Sequence, residues 1–473
     1  MGGDAAVTAR WLAVRAPRFA AALATVSGVA LLLRIALLTV AMSRGGQLLT
    51  PDGDQYVAIA HNLAQHGTFS ASDAPPLLPT MARAPGYPIW LAGTLLLAGG
   101  SPTALWPAFA GQLLLGAAVV CLVGWLARFV LPDRWALGVA ALCAVSPGEL
   151  AHSVMLSSEM PFGALLLAAL GCLFILRRGG RWQAAAAAGG LLGLAMLTRP
   201  IGLFLPLGLA PVAALRDPAH GRIRLAPVGV LLGTAIIVCL PWVVRNQARF
   251  GVPFVSAAEG DVLMAYDAAS FLARRDGVPL DTARAELQRN AQALAGIPPG
   301  QSIDARTESR LAVRVILGHP FAYAWYHARM SLNSLMPSVT ELTEVAGITS
   351  GRRGTMTVLA DSGAAIAVSH YTGLRTGLAG VVAAGLYLLI AVGTIGTVLA
   401  AALLARWRDW ASAWLLTVPV VLLVFTTGPA AHPRLSVPIW GPLLVLWAAG
   451  WRAAWTGPRF RGTGMRMAGG GCT

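Results

Sequence analysis

Apolar runs of membrane-spanning length, broken by short arginine-bearing turns, make up most of this chain. Crossing about 30 Å of hydrocarbon as a helix takes roughly 20 residues. Runs of that order fall near 21–42, 103–130, 135–150, 154–176, 182–198, 200–215, 226–244, 377–404, 410–428 and 434–451. The pattern predicts an all-α polytopic membrane protein, a bundle of about ten (8–13) transmembrane helices. Two long stretches are polar: 43–102, after the first run, and 245–376.

Arginine placement orients this bundle, because short cytoplasmic loops collect basic residues and short translocated loops do not. Arg10, Arg15 and Arg18 precede the first run. Arg128 and Arg134, then Arg177, Arg178 and Arg181, then Arg216, Arg222 and Arg224, then Arg406 and Arg408 fall in alternate connections, and Arg452, Arg459, Arg461 and Arg466 follow the last run. These positions agree only with an even number of spans and both termini in the cytoplasm. The chain then divides into an N-terminal transmembrane catalytic module at 1–244, including an outer loop at 43–102, and an extracytoplasmic segment at 245–376. C-terminal transmembrane helices at 377–455 and a Gly- and Arg-rich cytoplasmic tail at 456–473, whose composition predicts disorder, complete it. Helical periodicity marks 281–295 and 303–318 of the outer segment, and the aromatic-rich run from His319 to Met336 suits a helix at the membrane interface.

Composition closes off other classes. The 473 residues are 56% hydrophobic and 12% charged, with a mean hydropathy of +0.66, which is more apolar side chain than a soluble core needs. The net charge of +15 comes from arginine alone and does not point to nucleic acid. The first run is too long for a signal-peptide core and has no small-residue cleavage site, so it reads as a retained helix. The five cysteines form no metal-binding or disulfide spacing.

The chemistry concentrates in the first outer loop. Asp52-Gly53-Asp54-Gln55-Tyr56 opens a predicted surface helix at about 53–65, and Arg83 precedes a short apolar helix from Tyr87 to Leu97. One aspartate at a helix start is an ordinary N-cap, but two acids exceed what one cap requires. Glu159 lies within the outer turn or two of the run at 154–176, where a carboxylate is costly unless it faces a cavity or a partner; Arg34 and Arg199 are the candidate partners. Glu149 and His152 read as loop residues just before it.

The order of short motifs resembles that of a known family. Arg34 lies in the first helix, Asp52 stands four residues before Tyr56, and an Ile-Ala-x-Asn-Leu-x-x-x-Gly helix (Ile59 to Gly67) leads to Arg83-Ala84-Pro85-Gly86-Tyr87-Pro88. Ser157-Ser158-Glu159, Leu197-Thr198-Arg199-Pro200, Pro241-Trp242-Val243-Val244-Arg245-Asn246 and Pro433-Arg434 follow in turn. Across some 400 residues this order is similar to that of the GT-C glycosyltransferases of the protein O-mannosyltransferase and aminoarabinose-transferase type.

That resemblance implies a GT-C bundle with juxtamembrane helices in the first outer loop and a small extracytoplasmic helical region. It also implies an inverting transfer, on the extracytoplasmic face of the inner (plasma) membrane, of a sugar from a polyprenyl-phosphate donor to an envelope lipid, glycan, wall polymer or protein. The family's essential acid falls on Asp52 and its loop cation on Arg83; Asp54 has no counterpart, and Gly53 separates the two acids. Asp52, Asp54 and Glu159 are therefore the expected catalytic carboxylates. Tyr56, Arg83, Tyr87, Arg199, Arg245, Asn246 and Arg434 are the expected substrate-binding residues. No metal ligand set is expected and no cofactor is required. The chemistry fits: a carboxylate can take the acceptor proton, and guanidiniums can pair with the departing phosphate in bidentate fashion. A lipid-linked sugar polymerase or ligase, and a lipid or sugar flippase, are the alternative readings.

Overall fold

The computed structural model describes residues 16–97, 105–216, 223–257, 262–298, 303–335, 338–348, 363–374 and 410–456, with Gly99 and parts of 377–397. The described apolar runs become helices: α1 (Ala16–Arg44), α4 (Trp106–Ala127), α5 (Asp133–Ala144), α6 (Pro147–Val154), α7 (Glu159–Arg177), α8 (Trp182–Thr198), α9 (Leu205–Ala213), α10 (Ala226–Phe250), α17 (Trp410–Thr427) and α18 (Val437–Thr456). Among the described residues five helices are long and apolar enough to cross a membrane, or six if the bent pair α5–α6 counts as one. The run at 377–404 lies largely outside the described residues, as do the arginines at 10, 15, 222, 406, 408, 459, 461 and 466 and the tail beyond Thr456.

One expectation needs correction. The run at 135–150 is not one straight span: the chain turns by 55° between α5 and α6. Pro147 cannot extend the preceding helix, and Ser146 before it is extended, as the residue ahead of a proline prefers. The architecture is all-helical as expected, and the connection between α9 and α10 carries only a two-residue antiparallel ribbon, Leu215–Arg216 with Ile223–Arg224.

The main apolar core joins α1, α4, α5, α7, α8, α9, α10, α17 and α18. Small residues let helices approach closely: a Cβ at Gly193 of α8 would stand 2.9 Å from the Ala235 carbonyl oxygen of α10, and Gly189 abuts Thr234. Such contacts replace hydrophobic driving force where lipid is as apolar as the side chains.

The first outer loop folds onto this bundle as α2 (Gly53–His66) and α3 (Gly86–Leu97). Gly67, at φ +63°, ends α2 in the left-handed conformation that glycine tolerates. Tyr56 and Ala60 of α2 pack on Tyr87, Leu91 and Leu95 of α3 in a satellite core. The long outer segment is helical as well, with a π-helical turn (Leu263–Ala268), α11 (Ala269–Asp276), α12 (Leu280–Ala295), α13 (Ala305–Gly318), α14 (Pro320–Ser331), α15 (Val339–Val345) and α16 (Ala364–Thr372).

Candidate active site

Backbone pairing brings the first loop to the start of α7. Leu49 forms a parallel bridge with Leu156, and the Leu156 N–H donates to the Leu48 carbonyl at 2.9 Å. Gln112 of α4, fully buried, steadies the bend between α6 and α7 by donating to the carbonyls of His152 at 3.0 Å and Ser157 at 2.9 Å. The start of α2 is thus brought to the start of α7, where Arg434 reaches both Asp52 and Glu159. Opposite, Gly86 lets α3 start against the end of α8, where a Cβ would come within 2.7 Å of Thr198 Oγ1. Pro200 stops α8 and leaves Arg199 extended. Arg434 arrives from a 3-10 turn (Pro433–Ser436) ahead of α18.

Five charged side chains meet there. Arg83 Nη2 lies 2.7 Å from Asp52 Oδ1, and Arg434 Nη2 lies 2.7 Å from Asp52 Oδ2. Arg434 Nε is 3.0 Å and Arg199 Nη1 2.5 Å from Glu159 Oε1. Arg434 therefore bridges the two carboxylates, while Arg199 also donates to Ser158 Oγ at 2.9 Å. Exposure grades across the group, from 23% at the Asp52 and Arg83 side chains to 1% at Glu159. Among these five side chains, three guanidiniums face two carboxylates.

The electrostatics agree. Burial raises the Asp52 pKa, but Arg434, Arg83 and the hydrogen bond from Arg434 outweigh it and hold the carboxyl below its usual value. Burial disfavours the Arg434 cation, yet Glu159 and Asp52 raise it well above the ordinary guanidinium range. Asp52 occupies the N-cap position of α2 but makes no capping hydrogen bond. Both its oxygens go to arginine, so the capping role is not what it does.

The other expected residues scatter around this centre. Tyr56 lines it: its ring lies under Arg83 at 5.5 Å, and its hydroxyl is 3.5 Å from Ser158 Oγ. Tyr87 is fully buried behind Tyr56, with ring centroids 4.9 Å apart, as a packing residue. Asp54 is exposed in the first turn of α2, with no ion pair among the described residues. Arg245 and Asn246 lie elsewhere: Arg245 donates to the Thr80 carbonyl at 2.9 Å and to Asn246 Oδ1 at 2.7 Å. Asn246 donates to the Phe254 carbonyl at 2.8 Å.

Two further acids lie nearby, Glu149, which the sequence placed in a loop, and Glu341, which it did not single out. Glu149 and His152 are not loop residues but sit fully buried on α6, turned inward by the bend. Glu149 and Glu159 line one narrow void with Val119, Met160, Gly163 and Leu167. Glu341 on α15 has a buried Oε2 without a hydrogen-bond partner. Burial pushes its carboxyl up to about 7, against the pull of Arg434. Its place in the Pro337 to Val345 run carries no sequence signal that separates it from a solvated helix acid. Among the described residues no group of three or more His, Cys, Asp or Glu side chains is placed to hold a metal ion.

No protein-family model matches the chain, and no curated protein sequence does. Solved structures do. The archaeal oligosaccharyltransferase AglB from Archaeoglobus fulgidus, in complex with an inhibitory peptide and a dolichol-phosphate, superposes over 91% of this chain and 50% of its own, with a TM-score of 0.51 at 14% identity. Its apo form gives 0.51 at 15% identity, again over 91% of this chain and 50% of that one. ArnT from Cupriavidus metallidurans bound to undecaprenyl phosphate gives 0.41 at 16% identity, over 90% of this chain and 77% of its own. With the AglB structures the chain shares the GT-C fold. It spans about half the length of the AglB chains it matches.

Proposed function

We propose that this protein is an integral-membrane glycosyltransferase that moves a sugar from a polyprenyl-phosphate donor to an envelope acceptor, a lipid, glycan, wall polymer or protein, with inversion. The observation that carries this reading is the grip of Arg83 and Arg434 on Asp52 within a cluster of three guanidiniums and two carboxylates. AglB, which shares the fold, was solved with a dolichol-phosphate, a lipid of the same chemical kind as the proposed donor.

The geometry suggests how binding and catalysis are linked. A carboxylate held by two guanidiniums is a weak base. When the donor phosphate enters, it competes for Arg83, Arg434 and Arg199, and each guanidinium that turns to phosphate frees an Asp52 oxygen. Asp52 then accepts the proton of the acceptor hydroxyl as the acceptor oxygen bonds to the anomeric carbon from the opposite face. The bond from that carbon to the phosphate oxygen breaks, and polyprenyl phosphate leaves with the electron pair under arginine charge. Glu159 keeps Arg199 and Arg434 in place through the exchange, and Tyr56 walls the site. In this reading about ten spans place both termini in the cytoplasm and the cluster at the extracytoplasmic face, with 1–244 the catalytic module, 245–376 its outer cover and 377–455 the closing helices.

The deciding test is turnover in detergent with undecaprenyl-phosphate-linked sugar as donor. Transfer or donor hydrolysis by the purified protein supports the enzyme. Movement of the lipid only in sealed vesicles, with no sugar release, would make it a flippase. Mass spectrometry of envelope lipids and glycans from a deletion strain then names sugar and acceptor together.

A further inference from the structure

Arg83 sits on a stretch with no regular secondary structure, yet its guanidinium must be aimed to within hydrogen-bond tolerance. Three consecutive carbonyls just before it are each fixed from outside the loop. Thr80 O accepts from Arg245 Nη1 at 2.9 Å, Met81 O from the Ala257 N–H at 2.7 Å, and Ala82 O from Ser256 Oγ at 3.0 Å. The donors are fixed in turn. Asn246, fully buried, accepts from Arg245 and ties α10 to the Phe254 carbonyl, while the Trp242 indole N–H donates to the Val255 carbonyl at 2.9 Å.

Arg245 itself has no carboxylate within ion-pair distance among the described residues. Its guanidinium lies 4.5 Å from the Trp242 ring centroid, 5.2 Å from Phe250 and 5.6 Å from Phe69. A planar, permanently charged fork that stacks on aromatic faces while donating in its own plane suits a backbone brace; a lysine ammonium has no such plane and cannot hold both contacts in one fixed geometry.

We propose that Arg245, Asn246 and Ser256 are positioning residues that lock the 80–82 backbone and so aim Arg83 at Asp52. This rests on the reading of the Asp52–Arg83 pair as the reacting centre. Because Ser256 and Ala257 open the long outer segment, the brace also ties the cover of the site to its loop cation.

Two measurements on the full-length protein in nanodiscs test the proposal. In ligand-free hydrogen–deuterium exchange, Ser256→Ala and Arg245→Lys should each speed exchange across 78–85 by about three- to tenfold, the loss of one net hydrogen bond. Peptides from 159–177 should be unchanged. No change at 78–85, or an equal rise throughout, overturns the brace.

The second measurement is binding of undecaprenyl phosphate in a double-mutant cycle. Ser256→Ala should weaken binding about threefold and Arg83→Ala about tenfold, and the double variant should bind no worse than Arg83→Ala. Losses that multiply would show Ser256 acting apart from Arg83 and overturn the proposal. If Arg83→Ala binds like wild type, the phosphate reading of Arg83 falls, and the exchange result alone decides whether the brace exists.

Discussion

Glu149 and Glu159 are ten residues apart, both buried, and border the same void, yet among the described residues only Glu159 is in ion-pair contact. Glu159 has two guanidiniums within 3.0 Å. Glu149 has no ion pair among the described residues, and one of its oxygens has no hydrogen-bond partner. Arg34, the buried cation of α1, turns to Ser153 Oγ at 2.8 Å and to the carbonyls of Ala30 at 3.0 Å and Ala144 at 3.3 Å. Burial of an acid therefore says little about its role. What matters is whether compensating charge reaches it, and at Glu159 that charge arrives from sequence positions 199 and 434.

Substitution of the two acids is the sharpest way to break this comparison. Glu159→Gln leaves Arg199 and Arg434 short of a counter-charge and should cost about 3 kcal/mol, read as lowered thermal stability in detergent. A variant as stable as wild type would mean that the arginines find other partners and that Glu159 does not hold them.

Asp52→Asn separates catalysis from packing. It should lower sugar transfer by at least about a hundredfold, the range of general-base catalysis, while changing stability by less than about 1 kcal/mol because the pair is partly solvated. Retained transfer in this variant, with loss in Asp54→Asn, would move the base to the exposed acid.

His327 tests a buried pairing of a third kind. Its Nε2–H donates to the Phe425 carbonyl at 2.6 Å. Tyr323 gives its only proton to Asp267 Oδ1 at 2.6 Å and must accept from His327 Nδ1 at 3.0 Å, so both ring nitrogens carry hydrogen. The hydrogen bond with Asp267 raises the His327 pKa, against burial and with help from the Phe425 carbonyl. A raised histidine stabilises the fold below its unfolded pKa of about 6.5 and loses that contribution as pH rises through the higher folded value. Wild type should thus lose up to about 1 kcal/mol relative to His327→Gln on going from below pH 6.5 to alkaline pH, after solvent screening. Parallel stability curves for the two proteins would remove the imidazolium from the clasp.

The smallest effect is expected at Glu149. Glu149→Gln keeps shape and removes no ion pair, so its stability should stay within about 1 kcal/mol of wild type. A loss as large as that from Glu159→Gln would erase the contrast and make Glu149 a charge-paired group.

The sequence by itself determined most of the helices, and their ends where a clear stop is written in it. Spans are set by local apolar length, and stops by local chemistry such as Gly67 at positive φ and Pro200 after Arg199, so α8 and α12 fall within a residue of where periodicity places them. It also placed Asp52, Arg83, Glu159, Arg199 and Arg434 among the residues to watch. Only the tertiary structure decided which of them meet. Asp52 stands at the N-cap position of α2 and Asp54 in its first turn, two positions apart, yet one is held by Arg83 and Arg434 and the other faces solvent. Arg245 resembled Arg83 and Arg199 in sequence, since each is an arginine at the end of an apolar run. Its guanidinium went instead to a loop carbonyl and three aromatic rings. The Arg434–Asp52 contact closes 382 residues of chain. No local pattern encodes such a contact, because it depends on the packing of every helix between, and the bend at Pro147 that buries Glu149 and His152 acquires its meaning only from what it packs against.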